Sequence, residues 1–151
     1  MADLLHMVGR WKVAVAQRSQ PDAPLRESEL ELEIGSAMDG KVIESHYSTE
    51  EGQEIMWSLS FDTFRKAYRL TEFRSSRGYM DIQQGTFDDA GTLTLSNVAT
   101  ETSYQVADLT VHGRFNVSEI TPDSFKIERE ASIDGGESWW VAVTETYTRR
   151  P

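Results

Sequence analysis

The sequence predicts an all-β protein, a single antiparallel up-and-down β-barrel of about ten strands with a short N-terminal helix. Apolar and polar residues alternate along most of the chain, and residues typical of hairpin turns separate the alternating runs. Of the 151 residues, 38% are hydrophobic and 10% are aromatic, which suffices for one packed core. No shift in composition marks a boundary, so we expect residues 1–151 to form one domain.

Each predicted element follows from its local pattern. Residues 2–7 have helical spacing, and Asp3 is suited to cap this short helix. The first strand contains Trp11, and the second, residues 29–34, alternates leucine or isoleucine with glutamate, as a strand with one solvated face does. Similar alternation recurs at Ile55–Phe61, Leu109–Val117 and Trp139–Tyr147.

Short turns separate these strands. The turn signals are Met38–Gly40, Glu51–Gly52, Asp62–Lys66, Asp88–Gly91, Thr121–Asp123 and Asp134–Gly136. Hairpin turns join antiparallel neighbours, and a meander of many strands removes its exposed edges by closing into a barrel. The exception is Gln17–Ser28, a longer segment with two prolines, which we expect to be a mobile loop that governs access to any cavity.

Charge and cysteine content argue against several classes of partner. The chain has 25 acidic and 15 basic residues, a formal charge of −10, and its cations are scattered, so no nucleic-acid partner is expected. It has no cysteine and therefore no disulfide or thiolate metal site. No apolar run approaches the roughly 20 residues of a membrane span, and the start lacks the pattern of a signal peptide. These features predict a cytoplasmic protein without a membrane partner.

The histidines do not indicate a metal site. His6, His46 and His112 lie on separate segments, with no pair at ligand spacing, so we expect neither a metal nor another cofactor. A haem would have to use His46 or His112 as its axial ligand.

The opening and closing motifs resemble those of the lipocalin and fatty-acid-binding (calycin) superfamily. Gly9-Arg10-Trp11 opens the first strand, and Tyr147-Thr148-Arg149-Arg150 closes the last. The resemblance implies that Trp11 lies at the barrel floor and that an arginine of the last strand stacks over it. Arg149 is the better candidate because it shares its alternation phase with Tyr147. Arg150 would replace it only if a bulge near Thr148 reversed that phase.

A closer resemblance is to a bacterial family of lipocalin-like proteins of unknown function. It is carried by Leu4 to Trp11, Gly40-Lys41, Phe61-Asp62, Gly85 to Asp88 and the Tyr-Thr-Arg close. These motifs cover most of the chain and imply the calycin fold, but they imply no activity, since a fold does not determine a function.

Aromatic side chains share the phase of the aliphatic ones and are predicted to point into the barrel. They either fill the core or line a small cavity for a flat or compact ligand. Together with Arg129, the candidate ligand-binding residues are Tyr47, Trp57, Tyr68, Phe115, Trp139 and Tyr147.

Three charged residues are also predicted to face inward. Glu145 shares the face of Tyr147, Arg129 that of Ile127, and one of two possible phases turns Glu72 inward. They form either a structural ion network or a polar anchor for a ligand. Glu145 and Glu72 are the candidate catalytic residues, provided that Arg129 pairs with one carboxylate and leaves the other less well paired.

A second pair, Glu44 and His46, lies on one face of the third strand and is suited to acid–base chemistry if that face is internal. The opposite face carries Ile43 and Tyr47, a better apolar set, and therefore favours solvent exposure of the pair.

Two functions remain open from the sequence. The first is binding of a small hydrophobic or aromatic molecule in the barrel cavity. The second is a cofactor-independent isomerase, cyclase or lyase that uses the same cavity and an inward carboxylate as general acid or base. A third possibility is a structural or interaction protein, whose barrel would be filled by its own side chains, and a filled barrel would exclude the other two.

Overall fold

Residues 3–151 of the computed structural model form a closed antiparallel barrel of ten strands, with one further short strand outside it. The strands are β1 (Gly9–Gln17), β2 (Arg26–Ala37), β3 (Val42–Ser48), β4 (Glu54–Asp62), β5 (Ala67–Arg74), β6 (Tyr79–Phe87), β7 (Leu93–Ser96), β8 (Tyr104–Val106), β9 (Leu109–Ser118), β10 (Ser124–Ser132) and β11 (Trp140–Arg149). The prediction of an all-β antiparallel barrel is confirmed. No helix within residues 3–151 has the length and apolar character needed to cross a membrane.

The barrel is a meander with one detour. Each strand pairs with its neighbour in sequence from β1 to β7, and the next partner of β7 is β9. β9 pairs with β10, β10 with β11, and β11 with β1, which closes the ring. β8 pairs only with β9 and forms a hairpin at the end of the barrel.

The N-terminal segment forms a single 3₁₀ turn, Asp3–Met7, where the sequence predicted a short helix. The strand pairing of β1 begins at Gly9, so the turn cannot extend further toward the C-terminus. The turn covers one end of the barrel, which we name the closed end. Leu4 and Met7 are fully buried there, and the Met7 carbonyl accepts a hydrogen bond of 2.8 Å from Trp11 Nε1.

Trp11 and Arg149 meet at the closed end, as the resemblance to calycins implied and as the phase of the last strand selected. They are paired across β1 and β11, and the guanidinium carbon lies 4.3 Å from the centre of the indole ring. Arg149 also donates hydrogen bonds to the carbonyls of His6, at 2.6 Å, and Val8, at 3.1 Å. A Cβ at Gly9 would lie 2.3 Å from this guanidinium, and its φ of +143° also favours glycine.

Tightly packed aromatic rings fill the barrel next to the closed end. Phe125 stacks on Tyr147 with centroids 4.1 Å apart and meets Trp11 edge to face at 4.7 Å. All three rings are at most 1% exposed. This part of the barrel is core and offers no space for a ligand.

At the other end, which we name the open end, one pair of neighbouring strands separates. β2 pairs with β1 from Arg26 to Ile34, but it pairs with β3 only through residues 35–37. A hydrogen bond of 2.7 Å from Ser45 Oγ to the Glu33 carbonyl is a further link between the two strands. We call the gap between residues 26–32 of β2 and residues 46–48 of β3 the seam.

The predicted loop Gln17–Ser28 is shorter in the structure. Strand pairing between β1 and β2 extends to Gln17 and Arg26, so the loop contains only residues 18–25. Arg18 joins it to β11, since its backbone N–H donates to the Ala142 carbonyl at 2.8 Å and its Nε to the Val141 carbonyl at 3.1 Å.

Candidate functional site

The three predicted inward charges converge inside the barrel. Arg129 on β10 donates through Nε to Glu145 Oε1 of β11 at 3.1 Å, and through Nη1 to Glu72 Oε2 of β5. Arg74, which shares the face of Glu72, donates to Glu72 Oε1 at 2.6 Å. We call Glu72, Arg74, Arg129 and Glu145 the ion network. Its members come from three strands, so the closed ring of the barrel sets its geometry.

The network keeps Glu72 ionised although the residue is buried. Burial alone would raise the pKa of this carboxyl, but Arg129 and Arg74 lie against it and hold the pKa below its ordinary value. Burial likewise opposes the charge of Arg129, but Glu145 and Glu72 raise the pKa of its guanidinium. The expectation of one poorly paired carboxylate is wrong, because Arg129 contacts both.

Tyr147 completes the inner side of the network. Its hydroxyl donates to Glu145 Oε2 at 2.8 Å, and its ring stacks on Phe125. Burial, together with the neighbouring carboxylate of Glu145, raises the pKa of this phenol well above its ordinary value, so it remains a neutral donor. The side chain therefore connects the ion network to the aromatic core.

A cavity of about 220 Å³ lies above the network at the open end. Apolar side chains from four strands form much of its wall: Val15, Leu30, Ile55 and Val143. Arg129, Glu145 and Arg74 border it as well. Both sides of the seam line the cavity, with residues 26–30 on one side and Tyr47 and Thr49 on the other. It therefore opens laterally between β2 and β3.

Of the predicted ligand-binding residues, Tyr47 and Arg129 line this cavity. Trp57, Phe115 and Tyr147 point into the barrel as predicted, but they are at most 2% exposed and are packed in its core. Phe115 lies beneath the Arg129 guanidinium, whose carbon is 5.0 Å from the ring centre.

Tyr68 lies near the closed end, away from the cavity. It contacts the rings of Phe61 and Phe87, with centroids 5.0 and 5.3 Å away. The expected cavity lined by the whole aromatic set therefore differs from the cavity at the open end.

The prediction that Trp139 points into the barrel is wrong. The register between β10 and β11 pairs Arg129 with Val143 but Glu130 with Val141, so Ala142 is an extra residue in a β-bulge. The bulge reverses the alternation for the residues before it. Trp139 lies against the outer surface, where the Arg114 guanidinium carbon is 4.4 Å from its ring centre and its Nε1 donates to the Gly136 carbonyl at 3.0 Å.

The expected lid is only partly present. Gln17 and residues 26–28 border the cavity, but they do so as strand residues of β1 and β2. The remaining loop, residues 18–25, does not line the cavity and is bonded to β11. Access therefore depends on the seam.

Sequence reasoning missed two features of the open end. Arg74 is one of them. It lies two residues after Glu72 and therefore on the same face of the strand, and this spacing could have predicted that it joins the network. The other is a buried polar cluster around Asp81, which accepts hydrogen bonds from Gln83 at 2.7 Å, Asn97 at 3.1 Å and Thr102 at 2.8 Å. This cluster fixes the segment after β7 against β6, and no sequence spacing identifies it.

The histidine candidates lie outside the barrel. Glu44 and His46 are exposed, and His46 is 3.8 Å from the exposed Glu54. His112 is on the face of β9 opposite to the buried Val111. Within residues 3–151, no group of three or more histidine, aspartate or glutamate side chains has the arrangement of a metal site.

Comparisons with known proteins agree with the fold. The chain is similar to the structure described as "Crystal Structure of Rv2717c from M. tuberculosis", with a TM-score of 0.62 and 17% sequence identity over 100% of this chain and 99% of that one. At this identity the similarity shows the fold alone. No protein of curated function matches the sequence. The family model described as "Protein of unknown function (DUF1579)" matches residues 2–149. The chain therefore belongs to the DUF1579 family.

Proposed function

We propose that the protein binds a small, largely apolar organic molecule in the cavity at the seam. The observation that carries this proposal is the combination of an apolar wall with a fixed polar floor in one cavity of about 220 Å³. Ligand sites in proteins have this composition, in which apolar surface supplies affinity and a few polar groups fix the orientation. The ion network is held on three sides by strands and is therefore already organised for this task.

The lipocalin-like assignment belongs to the same proposal. It is supported by the single meander barrel and by the stacking of Arg149 on Trp11, which the resemblance to calycins implied. Barrels of this size hold one small ligand when their own side chains do not fill them. Here the aromatic core fills the closed end and leaves the cavity at the open end.

The geometry favours binding over catalysis. A general acid needs a carboxyl group that is protonated near neutral pH. Arg129 and Arg74 hold the pKa of Glu72 below its ordinary value, so this residue is a poor acid at neutral pH and a weak base. Glu145 contacts the same Arg129 guanidinium and accepts a hydrogen bond from Tyr147. Both carboxylates are better suited to hold a fixed charge pattern than to transfer a proton.

The proposal is tested by filling the cavity. Val143 lines it, whereas Thr146 on the same strand is exposed on the outer surface. We expect Val143→Phe to abolish the NMR shift changes that indole, a compact neutral aromatic probe, produces at cavity residues, and Thr146→Phe to leave them unchanged. Native mass spectrometry of the purified protein would show any molecule that remains bound. Equal indole binding by both variants would place the binding site elsewhere.

A further inference from the structure

We propose that the ligand of the seam cavity is an organic cation, a compact apolar or aromatic molecule with a protonated amine. This inference rests on the proposed function, since it specifies the ligand class of the same cavity. Three features support it: the charge of the lining residues, the spare hydrogen-bonding capacity of Glu145 and Tyr47, and the pairing of Arg129 with two carboxylates.

The charge balance around the cavity is negative. Five glutamates but only three arginines line it, in a chain whose net charge is −10. Glu50 and Glu51, between β3 and β4, form no ion pair within residues 3–151. Charges of one sign at the mouth of a cavity attract oppositely charged ligands and repel like ones. The mouth therefore favours a cation and disfavours a carboxylate.

Glu145 retains the capacity to accept further hydrogen bonds. An ionised carboxylate has about four acceptor positions, and Glu145 uses one for Arg129 and one for Tyr147. The residue borders the cavity. An ammonium group, which carries three donors, is suited to the remaining positions.

Tyr47 offers a second contact for the same group. It lines the cavity, and its hydroxyl makes no hydrogen bond within residues 3–151. Burial and the nearby carboxylate of Glu145 raise the pKa of this phenol, so the hydroxyl stays neutral and its oxygen can accept a hydrogen bond. The face of a tyrosine ring also attracts a cation that lies over it.

Arg129 is not an anchor for an anionic ligand, although a buried arginine suggests one. Two of its nitrogens already donate to carboxylates, and its Nη2 has no partner but is sealed from solvent. An incoming carboxylate would lie beside Glu145 and Glu72 and would be repelled by both. The guanidinium therefore serves to hold the two glutamates in place.

The test uses three probes that share a benzene ring and differ in charge at pH 7: benzylamine, benzyl alcohol and benzoate. NMR titration of the wild-type protein should give an affinity for benzylamine at least about tenfold above that for benzyl alcohol, with benzoate weakest. Added salt should weaken the binding of benzylamine and leave that of benzyl alcohol nearly constant.

The outcomes separate this inference from the proposed function. If none of the three probes, nor indole, binds at the cavity, the proposed function fails. If benzyl alcohol or benzoate binds as tightly as benzylamine, the cavity is a binding site but the inference about charge is overturned.

Two double variants isolate the effect of Glu50 and Glu51, which lie at the mouth of the cavity. Glu50→Gln with Glu51→Gln removes two charges at the cavity, and Glu44→Gln with Asp89→Asn removes two exposed charges elsewhere. We expect the first pair to weaken benzylamine binding by about three- to tenfold without affecting benzyl alcohol, and the second pair to change neither by more than about twofold. If both double variants weakened benzylamine binding equally, only the net charge of the protein would matter, and the proposed role of Glu50 and Glu51 would be overturned.

Discussion

The two ends of the barrel each contain an arginine with several partners, and they use it differently. At the closed end, Arg149 stacks on Trp11 and donates to the backbone carbonyls of His6 and Val8. In the open half, Arg129 donates to the side-chain carboxylates of Glu72 and Glu145. Backbone carbonyls are neutral and do not titrate, whereas carboxylates carry charge and respond to pH.

This difference separates stability from binding within one barrel. Around Arg149 the rings are in contact and the termini of the sheet are joined, so the closed end contributes mainly to folding. Around Arg129 a cavity borders the charged groups, and the facing edges of β2 and β3 are unpaired along the seam. A region opens at lower free energy than the core when it has few buried apolar contacts and when its backbone groups are unpaired. The predictions below test this division, in order of the expected effect.

Removing the indole at the closed end should cause the largest loss of stability. Trp11→Ala deletes a fully buried side chain, its hydrogen bond to Met7 and the platform for Arg149. We expect the free energy of unfolding to fall by about 5 kcal/mol, measured by urea denaturation. Trp139→Ala, which removes an indole from the outer surface, is the matched control and should cost about 1–2 kcal/mol. Similar losses in both variants would contradict the special role of the closed end.

Removing Arg129 should cost somewhat less and should depend on pH. Arg129→Leu leaves Glu72 without one of its two cations and Glu145 without its cation, and both residues are buried. We expect a loss of about 3–4 kcal/mol at pH 7. Because Arg129 helps to hold the pKa of Glu72 down, Glu72 gains a proton more readily without it, and the loss should be smaller at pH 5 than at pH 8. Lys126→Leu, at the half-buried pair with Glu128 on the same strand, is the control and should change stability by less than about 1 kcal/mol.

The stability that Glu72 contributes should be complete only above its ordinary pKa. Its pKa in the folded protein lies below the ordinary value of 4.5, so the folded state binds this proton less readily than the unfolded state. The stabilisation is therefore present at neutral pH and is lost as the pH falls through 4.5 toward the folded-state value. Glu72→Gln should reduce the free energy of unfolding by about 2 kcal/mol at pH 7. The difference from wild type should shrink below pH 4.5 in urea titrations, and a constant difference would refute this assignment.

Weakening the link between β2 and β3 that lies next to the seam should have the smallest effect. Ser45→Ala removes the hydrogen bond to the Glu33 carbonyl and should cost about 1 kcal/mol. Hydrogen exchange should become faster at amides of residues 29–34 and 45–48, with no change around Trp11. Ser60→Ala, a control on the fully paired β4, should leave these rates unchanged. Faster exchange throughout the barrel would mean that the seam is not a separate region.

The sequence predicted those parts of the fold and site that depend on the phase of an unbroken strand. Glu72, Arg129 and Glu145 converge because the phase of each strand continues from its apolar residues to these side chains, although alternation allowed two phases for Glu72. The resemblance to calycins implied that Trp11 meets an arginine of the last strand, and the phase of β11 selected Arg149. The orientation of Trp139 was predicted wrongly because Ala142, the extra residue in a bulge, reverses the alternation of β11. An alanine gives no sequence signal of a bulge.

The seam and the position of the cavity were also beyond the sequence. Both β2 and β3 have ordinary strand patterns, and how far two strands remain paired depends on the curvature of the whole barrel. The alternation phase of the aromatic residues predicts that they point into the barrel, but it does not distinguish a cavity wall from a filled core. The structure places most of them in the core.

The pairing of the first strand with the last has a consequence for biosynthesis. β1 and β11 are neighbours in the ring although they stand at opposite ends of the sequence, and Arg149 bonds to carbonyls that precede β1. Contacts between residues so distant along the chain form slowly, because a long loop must close before they are made. A ribosome must therefore release β11 before Trp11 can be covered, and until then the nascent chain exposes an unpaired strand edge that chaperones can recognise.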